Sequence, residues 1–136
     1  MLLIVAFISY AFASPSLFQT PSIGSDCTQG TPKFKVYSLT ANPWPIGTSQ
    51  MSTNLTISGT LASATFINEI WISSSSPNNF ENQQVLVAQQ YPKGNSTLNV
   101  VYNVQYPAGN WNAILTTRDG SFNILNCWTF SYVSEL

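Results

Sequence analysis

Histidine is absent from this chain of 136 residues, and charge is scarce, with four basic and five acidic side chains making up 7% of the sequence. Without histidine, both the usual general base at neutral pH and the commonest metal ligand are missing. The acids Asp26, Glu69, Glu81, Asp119 and Glu135 stand apart from one another, so no spacing announces a carboxylate pair. The expectation is a protein that is not an enzyme, with no catalytic residue, no metal and no cofactor. The cations Lys33, Lys35, Lys93 and Arg118 form no run. A chain so poor in positive charge carries no footprint for nucleic acid or for an anionic membrane.

Long apolar runs are equally scarce. The run over residues 2–12 is too short for a bilayer, which needs roughly 20 residues. With the small-x-small pattern Ala11-Phe12-Ala13 behind it, it reads as a secretory signal peptide over residues 1–13. Residues 14–136 then form a single domain, long enough for one core. Two sequons, at Asn54 and Asn95, are candidate glycosylation sites and agree with a secreted or endolysosomal protein.

Cysteine occurs twice, as Cys27 and Cys127. In an oxidising compartment the pair is expected to form a disulfide that brackets the whole domain. Closing a loop of about 100 residues adds roughly 4–5 kcal/mol in the chain-entropy treatment. An antibody-type bridge between two internal strands is a poor match.

What the chain has in plenty is strand signal broken by turn residues, with no helical period. Residues 14–31 read as an irregular lead-in. Strands are predicted over residues 34–39, 51–61, 66–73, 85–90, 98–106, 111–117 and 122–133. The second alternates, with Met51, Thr53, Leu55 and Ile57 on one face and Asn54 on the wet one. The third has two competing faces, Phe66, Ile70 and Ile72 against Ile67 and Trp71. Residues 73–82 read as a polar linker, and Asp119 in Arg118-Asp119-Gly120 as a turn residue. The fifth places Leu98, Val100, Tyr102, Val104 and Tyr106 together. The last places Ile124, Trp128, Phe130 and Tyr132 together and leaves Cys127 on the opposite face, within reach of a lead-in running outside the sheet. The implied fold class is all-β, an immunoglobulin-like β-sandwich of about seven antiparallel strands in two sheets. Pattern alone favours a packed aromatic core over a ligand wall.

A family resemblance shifts that balance. Cys27 follows the signal region. Asn42-Pro43-Trp44-Pro45-Ile46-Gly47 is similar to a Pro-x-Pro-x-x-Gly turn, and Ile57-Ser58-Gly59-Thr60-Leu61 follows in order. Tyr106-Pro107-Ala108-Gly109-Asn110-Trp111 leads into an aromatic strand, and Asn126-Cys127-Trp128 closes the series. In this order the motifs resemble the ML lipid-recognition domain family, which includes the Niemann–Pick type C sterol carrier and fungal phosphatidylglycerol/phosphatidylinositol transfer proteins. The resemblance implies a sandwich whose sheets splay around an apolar cavity holding a sterol or phospholipid. It also implies a monomer that meets a membrane or membrane protein transiently. Tyr106-Pro107 matches a Tyr-Pro pair that lines the sterol carrier's pocket, and Tyr102 matches a cavity position four residues upstream. The expected lipid-binding wall is Leu55, Ile57, Val100, Tyr102, Tyr106, Pro107, Trp111, Trp128 and Phe130. Many relatives carry further disulfides within the domain, whereas this chain keeps the outer bracket alone.

Overall fold

A computed structural model describes residues 21–48 and 50–136. The signal peptide expected over residues 1–13 lies outside the described residues. The elements are β1 (Ser25–Asp26), β2 (Phe34–Asn42), β3 (Ser52–Leu61), β4 (Thr65–Ser76), β5 (Asn79–Tyr91), β6 (Gly94–Asn103), β7 (Gly109–Asp119) and β8 (Ile124–Ser134). All neighbouring strands pair antiparallel, in a five-stranded sheet β1-β8-β7-β4-β5 and a three-stranded sheet β2-β3-β6. The all-β two-sheet sandwich is therefore present, with seven long strands and the two-residue β1.

The period-2 pattern explains the clearest strands. In β3 the side chains of Thr53, Leu55, Ile57 and Leu61 turn inward, with Gly59 buried among them, while Ser52, Asn54 and Thr60 face water. In β6, Leu98, Val100 and Tyr102 turn inward against them. One face of each strand is apolar because it meets the other sheet, and the facing polar set is solvated. Phe34, Leu39, Leu55, Ile57, Ile67, Ile70, Ile72, Tyr102, Ala113 and Leu115 reach complete burial in the resulting core.

Several expectations need correction. Residues 73–82 are not a linker. Ser73 pairs with Asn82, Ser74 with Glu81, Ser75 with Phe80 and Ser76 with Asn79, so β4 and β5 form one hairpin turning at Pro77-Asn78. The serines extend as strand because β7 templates them from the other side, pairing Ser73 with Ile114 and Ser74 with Ala113. The competing faces of β4 resolve through a register shift between Ile67 and Glu69. That irregularity turns Ile67 inward and then Ile70 and Ile72 as well, leaving Phe66 40% exposed.

Met51 does not join the inward face. It precedes β3 and is 80% exposed. Ile124 also departs from its predicted face, because a register shift next to Thr117 and Arg118 leaves it pointing out. The lead-in does not run outside the sheet either. β1 completes the five-stranded sheet by pairing Ser25 with Thr129 and Asp26 with Trp128, since the free edge of β8 offers backbone partners.

Candidate functional site

The Cys27–Cys127 disulfide is formed, with Cα atoms 4.9 Å apart, and Cys27 N–H donates to the Cys127 carbonyl at 3.0 Å. It fastens one long side of the sandwich. On that side Ile23 N–H donates to Leu39 O at 2.8 Å, and the Trp128 indole N–H donates to Ile23 O at 2.9 Å. The strand β2 of one sheet is thus stitched to β8 of the other by the segment just ahead of the bridge.

Seven of the nine expected wall residues lie between the sheets. Leu55, Ile57, Val100, Tyr102, Trp111, Trp128 and Phe130 are all buried. Their inward direction follows from strand alternation, and all seven belong to one core cluster. The Tyr102 ring stands edge-on to Phe130 at 5.7 Å and to Tyr132 at 5.9 Å, while Phe130 and Tyr132 stack at 6.3 Å.

The remaining two are placed elsewhere. Tyr106 is 73% exposed and Pro107 is also on the surface. The strand pattern that put Tyr106 beside Tyr102 stops because β6 ends at Asn103. From there the chain crosses toward the other sheet, where Gln105 N–H donates to the Tyr132 hydroxyl at 3.0 Å. Pro107 O accepts the Trp111 indole N–H at 3.0 Å, which fixes the crossover against the start of β7.

Polar groups mark both ends of the apolar interior. At the crossover end, the Tyr102 hydroxyl lies 2.8 Å from the Ser74 hydroxyl and 2.8 Å from the Tyr132 hydroxyl. Burial pushes both phenols above their ordinary pKa, so they stay protonated and available as donors at physiological pH. At the opposite end, Thr117 and Asn126 are buried side by side, with the Thr117 hydroxyl donating to Asn126 Oδ1. An amphipathic molecule placed between these ends would find aliphatic and aromatic walls along its length and hydroxyl partners at one tip.

A cleft of about 240 Å³ opens on the surface next to the hydroxyl trio, lined by Glu81, Asn82, Gln83, Asn103, Val104, Gln105 and Tyr106. Tyr106 therefore lines this surface cleft, four residues along the chain from Tyr102. Ser74 and Tyr132 are the members of the hydroxyl trio that sequence reasoning did not single out, and Gln83 stands on a strand edge beside the cleft. Ser74 continues the inward series Ile70, Ile72 and could have been found by extending that alternation. Gln83 carries no sequence signal, because its partners lie on a strand of the other sheet.

No protein-family model matches the chain. No curated protein matches it either. Among solved structures, the chain is similar to a Niemann-Pick type C2 protein from Japanese carpenter ant, at 10% identity and a TM-score of 0.55, covering 82% of this chain and 98% of that one. The two chains share a fold. The near-complete coverage of the ant protein means that its whole sandwich has a counterpart here, consistent with the ML-type architecture expected from the motifs. Among the described residues no group of three or more His, Cys, Asp and Glu side chains is placed to hold a metal ion.

Proposed function

We propose that the protein binds and transfers a lipid, a sterol or a phospholipid, between its two sheets, in the extracellular space or the endolysosomal lumen. The observation that carries this reading is the arrangement of the interior. An apolar core is bounded at one end by the buried trio of Tyr102, Ser74 and Tyr132 hydroxyls, beside a surface cleft rimmed by Tyr106. The fold shared with a Niemann-Pick type C2 protein supports it.

The driving force would be desolvation, at about 25 cal/mol per Å² of apolar surface removed from water. The aromatic contacts among Tyr102, Phe130 and Tyr132 fill the space in the structure described, so loading requires the sheets to part and these rings to yield. Tyr102 is then the residue that meets the ligand's polar end, exchanging its bond to Ser74 or Tyr132 for one to a lipid hydroxyl or headgroup oxygen. Leu55, Ile57, Val100, Trp111 and Phe130 supply the wall, and Tyr106 with Pro107 the rim.

The same aromatic contacts favour a second reading, a non-catalytic immunoglobulin-like recognition or structural module whose core admits nothing. Native purification followed by organic extraction and lipid mass spectrometry separates the two. The carrier yields lipid near one equivalent, or takes it up from phosphatidylcholine vesicles containing sterol; a filled module yields none under either condition. Because Tyr106 is exposed, Tyr106→Asp should keep the wild-type melting transition while cutting lipid uptake. Unchanged uptake by that variant would remove Tyr106 from the rim.

A further inference from the structure

The two long sides of the sandwich are closed in unequal ways. On the β2–β8 side, residues 22–27 bond to both sheets. Leu39 N–H donates to the Ser22 hydroxyl at 3.2 Å, Ile23 bonds to Leu39 and Trp128, β1 pairs with β8, and the disulfide follows. On the β5–β6 side, the hydrogen bonds recorded between the two strands among the described residues come from one side chain. Gln83 Nε2 donates to Val101 O at 2.6 Å, and Gln83 Oε1 accepts from Asn103 N–H at 2.9 Å. A side-chain amide there does what a ladder residue would do, bonding one carbonyl and one N–H of the edge of β6.

We infer that the β5–β6 seam is the portal of the interior and that Gln83 is its latch. This rests on the lipid-binding reading and adds how the site opens. Three features fix the direction of opening. The opposite side is held by the bonds of Ser22 and Ile23 to Leu39 and of Trp128 to Ile23, with the disulfide fixing the following segment to β8. β5 and β6 are joined through the turn between Tyr91 and Gly94, so the strands separate most easily away from that turn. The far end of the seam is where the cleft lined by Glu81, Gln83, Asn103 and Tyr106 already interrupts the surface. Behind the latch stands Tyr102, one residue from each of the two backbone partners of Gln83, so releasing Val101 and Asn103 frees the segment of β6 that carries Tyr102, whose hydroxyl meets Ser74 and Tyr132 of the other sheet. Gln83 lies between sheet edges, half-buried, and its amide offers one donor and one acceptor to the edge of β6.

A latch that reforms with and without ligand controls rates and leaves affinity alone. The test uses the full secreted protein and two probes, dehydroergosterol and a fluorescent phosphatidylcholine, with uptake and release followed by stopped-flow fluorescence. Gln83→Leu, which keeps the bulk and removes both bonds, should raise uptake and release rates together by roughly thirtyfold, the factor expected for two ordinary hydrogen bonds, with Kd nearly unchanged. Amide exchange at Asn103 should rise in the same variant, since its acceptor is gone. In the opposite direction, Gln83→Cys with Val101→Cys, joined by a short bismaleimide that spares the native disulfide, should stop uptake of both probes. Unaltered rates in Gln83→Leu, a change in Kd without a parallel rise in both rates, or uptake persisting across the crosslink each overturn the latch. If the wild-type protein takes up neither probe, the lipid reading itself fails and the latch falls with it. Uptake by wild type with rates insensitive to Gln83 overturns the latch alone.

Discussion

Asp119 shows how much a single exposed carboxylate can organise. Its Oδ1 accepts from Ser121 N–H and Asn123 N–H, both at 2.9 Å, and its Oδ2 accepts from the Asn123 side-chain amide at 3.0 Å. The hairpin between β7 and β8 is built on that carboxylate, in keeping with the Arg118-Asp119-Gly120 turn read from sequence. The Asn123 side chain leads the interactions that hold the Asp119 carboxyl below its ordinary 3.8, with the backbone N–H groups of Asn123 and Ser121 adding to it. A lowered folded-state value means that the charged form stabilises the fold above 3.8, and that this contribution is lost as the pH falls through the depressed value. Asp119→Ala should therefore lower stability at pH 7 by about 1 kcal/mol, the usual cost of removing a side-chain acceptor from a local backbone cap. Urea titrations of both proteins check this, and the gap between them should close in acid well below 3.8.

At the scale of the element, what was legible in the sequence depended on how water meets each strand. β3 and β6 were readable because one face is apolar and the other carries Asn, Thr and Ser that pair across the strands, as Thr56 with Asn99 at 3.0 Å and Thr60 with Asn95 at 2.8 Å. The β4–β5 hairpin was not, since Ser73, Ser74, Ser75 and Ser76 carry no apolar alternation and the first three extend through pairing with β7, forty residues or so away in sequence. The site divided in the same way. Wall residues on alternating strands fell where the period placed them, while Tyr106 left its face at a crossover and Gln83 was invisible because its partners are non-local. Glycine marks one tight element contact. A Cβ at Gly59 would come within 2.6 Å of the Phe34 ring and 2.7 Å of Lys35 O, so β2 and β3 pack closely only because that position has no side chain. Gly59→Ala should destabilise the protein by about 1–3 kcal/mol through overpacking, read as a lower thermal midpoint.

For the molecule as a whole, the side of the sandwich that carries the disulfide is held by backbone bonds as well as by the bridge. Sequence separation between Cys27 and Cys127 is 100, so the bridge spans nearly the whole domain. Its folded-state geometry is shared with backbone bonds that would persist without it, including Ile23 to Leu39 and β1 to β8. Its main effect is thus on the unfolded chain, which it denies the freedom of an open loop of that length. Replacing both cysteines with alanine should cost roughly 2–5 kcal/mol. The denaturant slope should also rise, because an unbridged unfolded chain exposes more surface. The fold should survive, with the loss of exchange protection concentrated at β1 and its partner residues Trp128 and Thr129, and little change at the Asn103 amide on the far seam. Hydrogen exchange of the double variant at a temperature below its own midpoint makes that comparison. A uniform loss across both seams would mean that the bridge holds the two sheets together as a unit, whereas a loss confined to the β1 side shows that each seam is closed independently and can be opened independently.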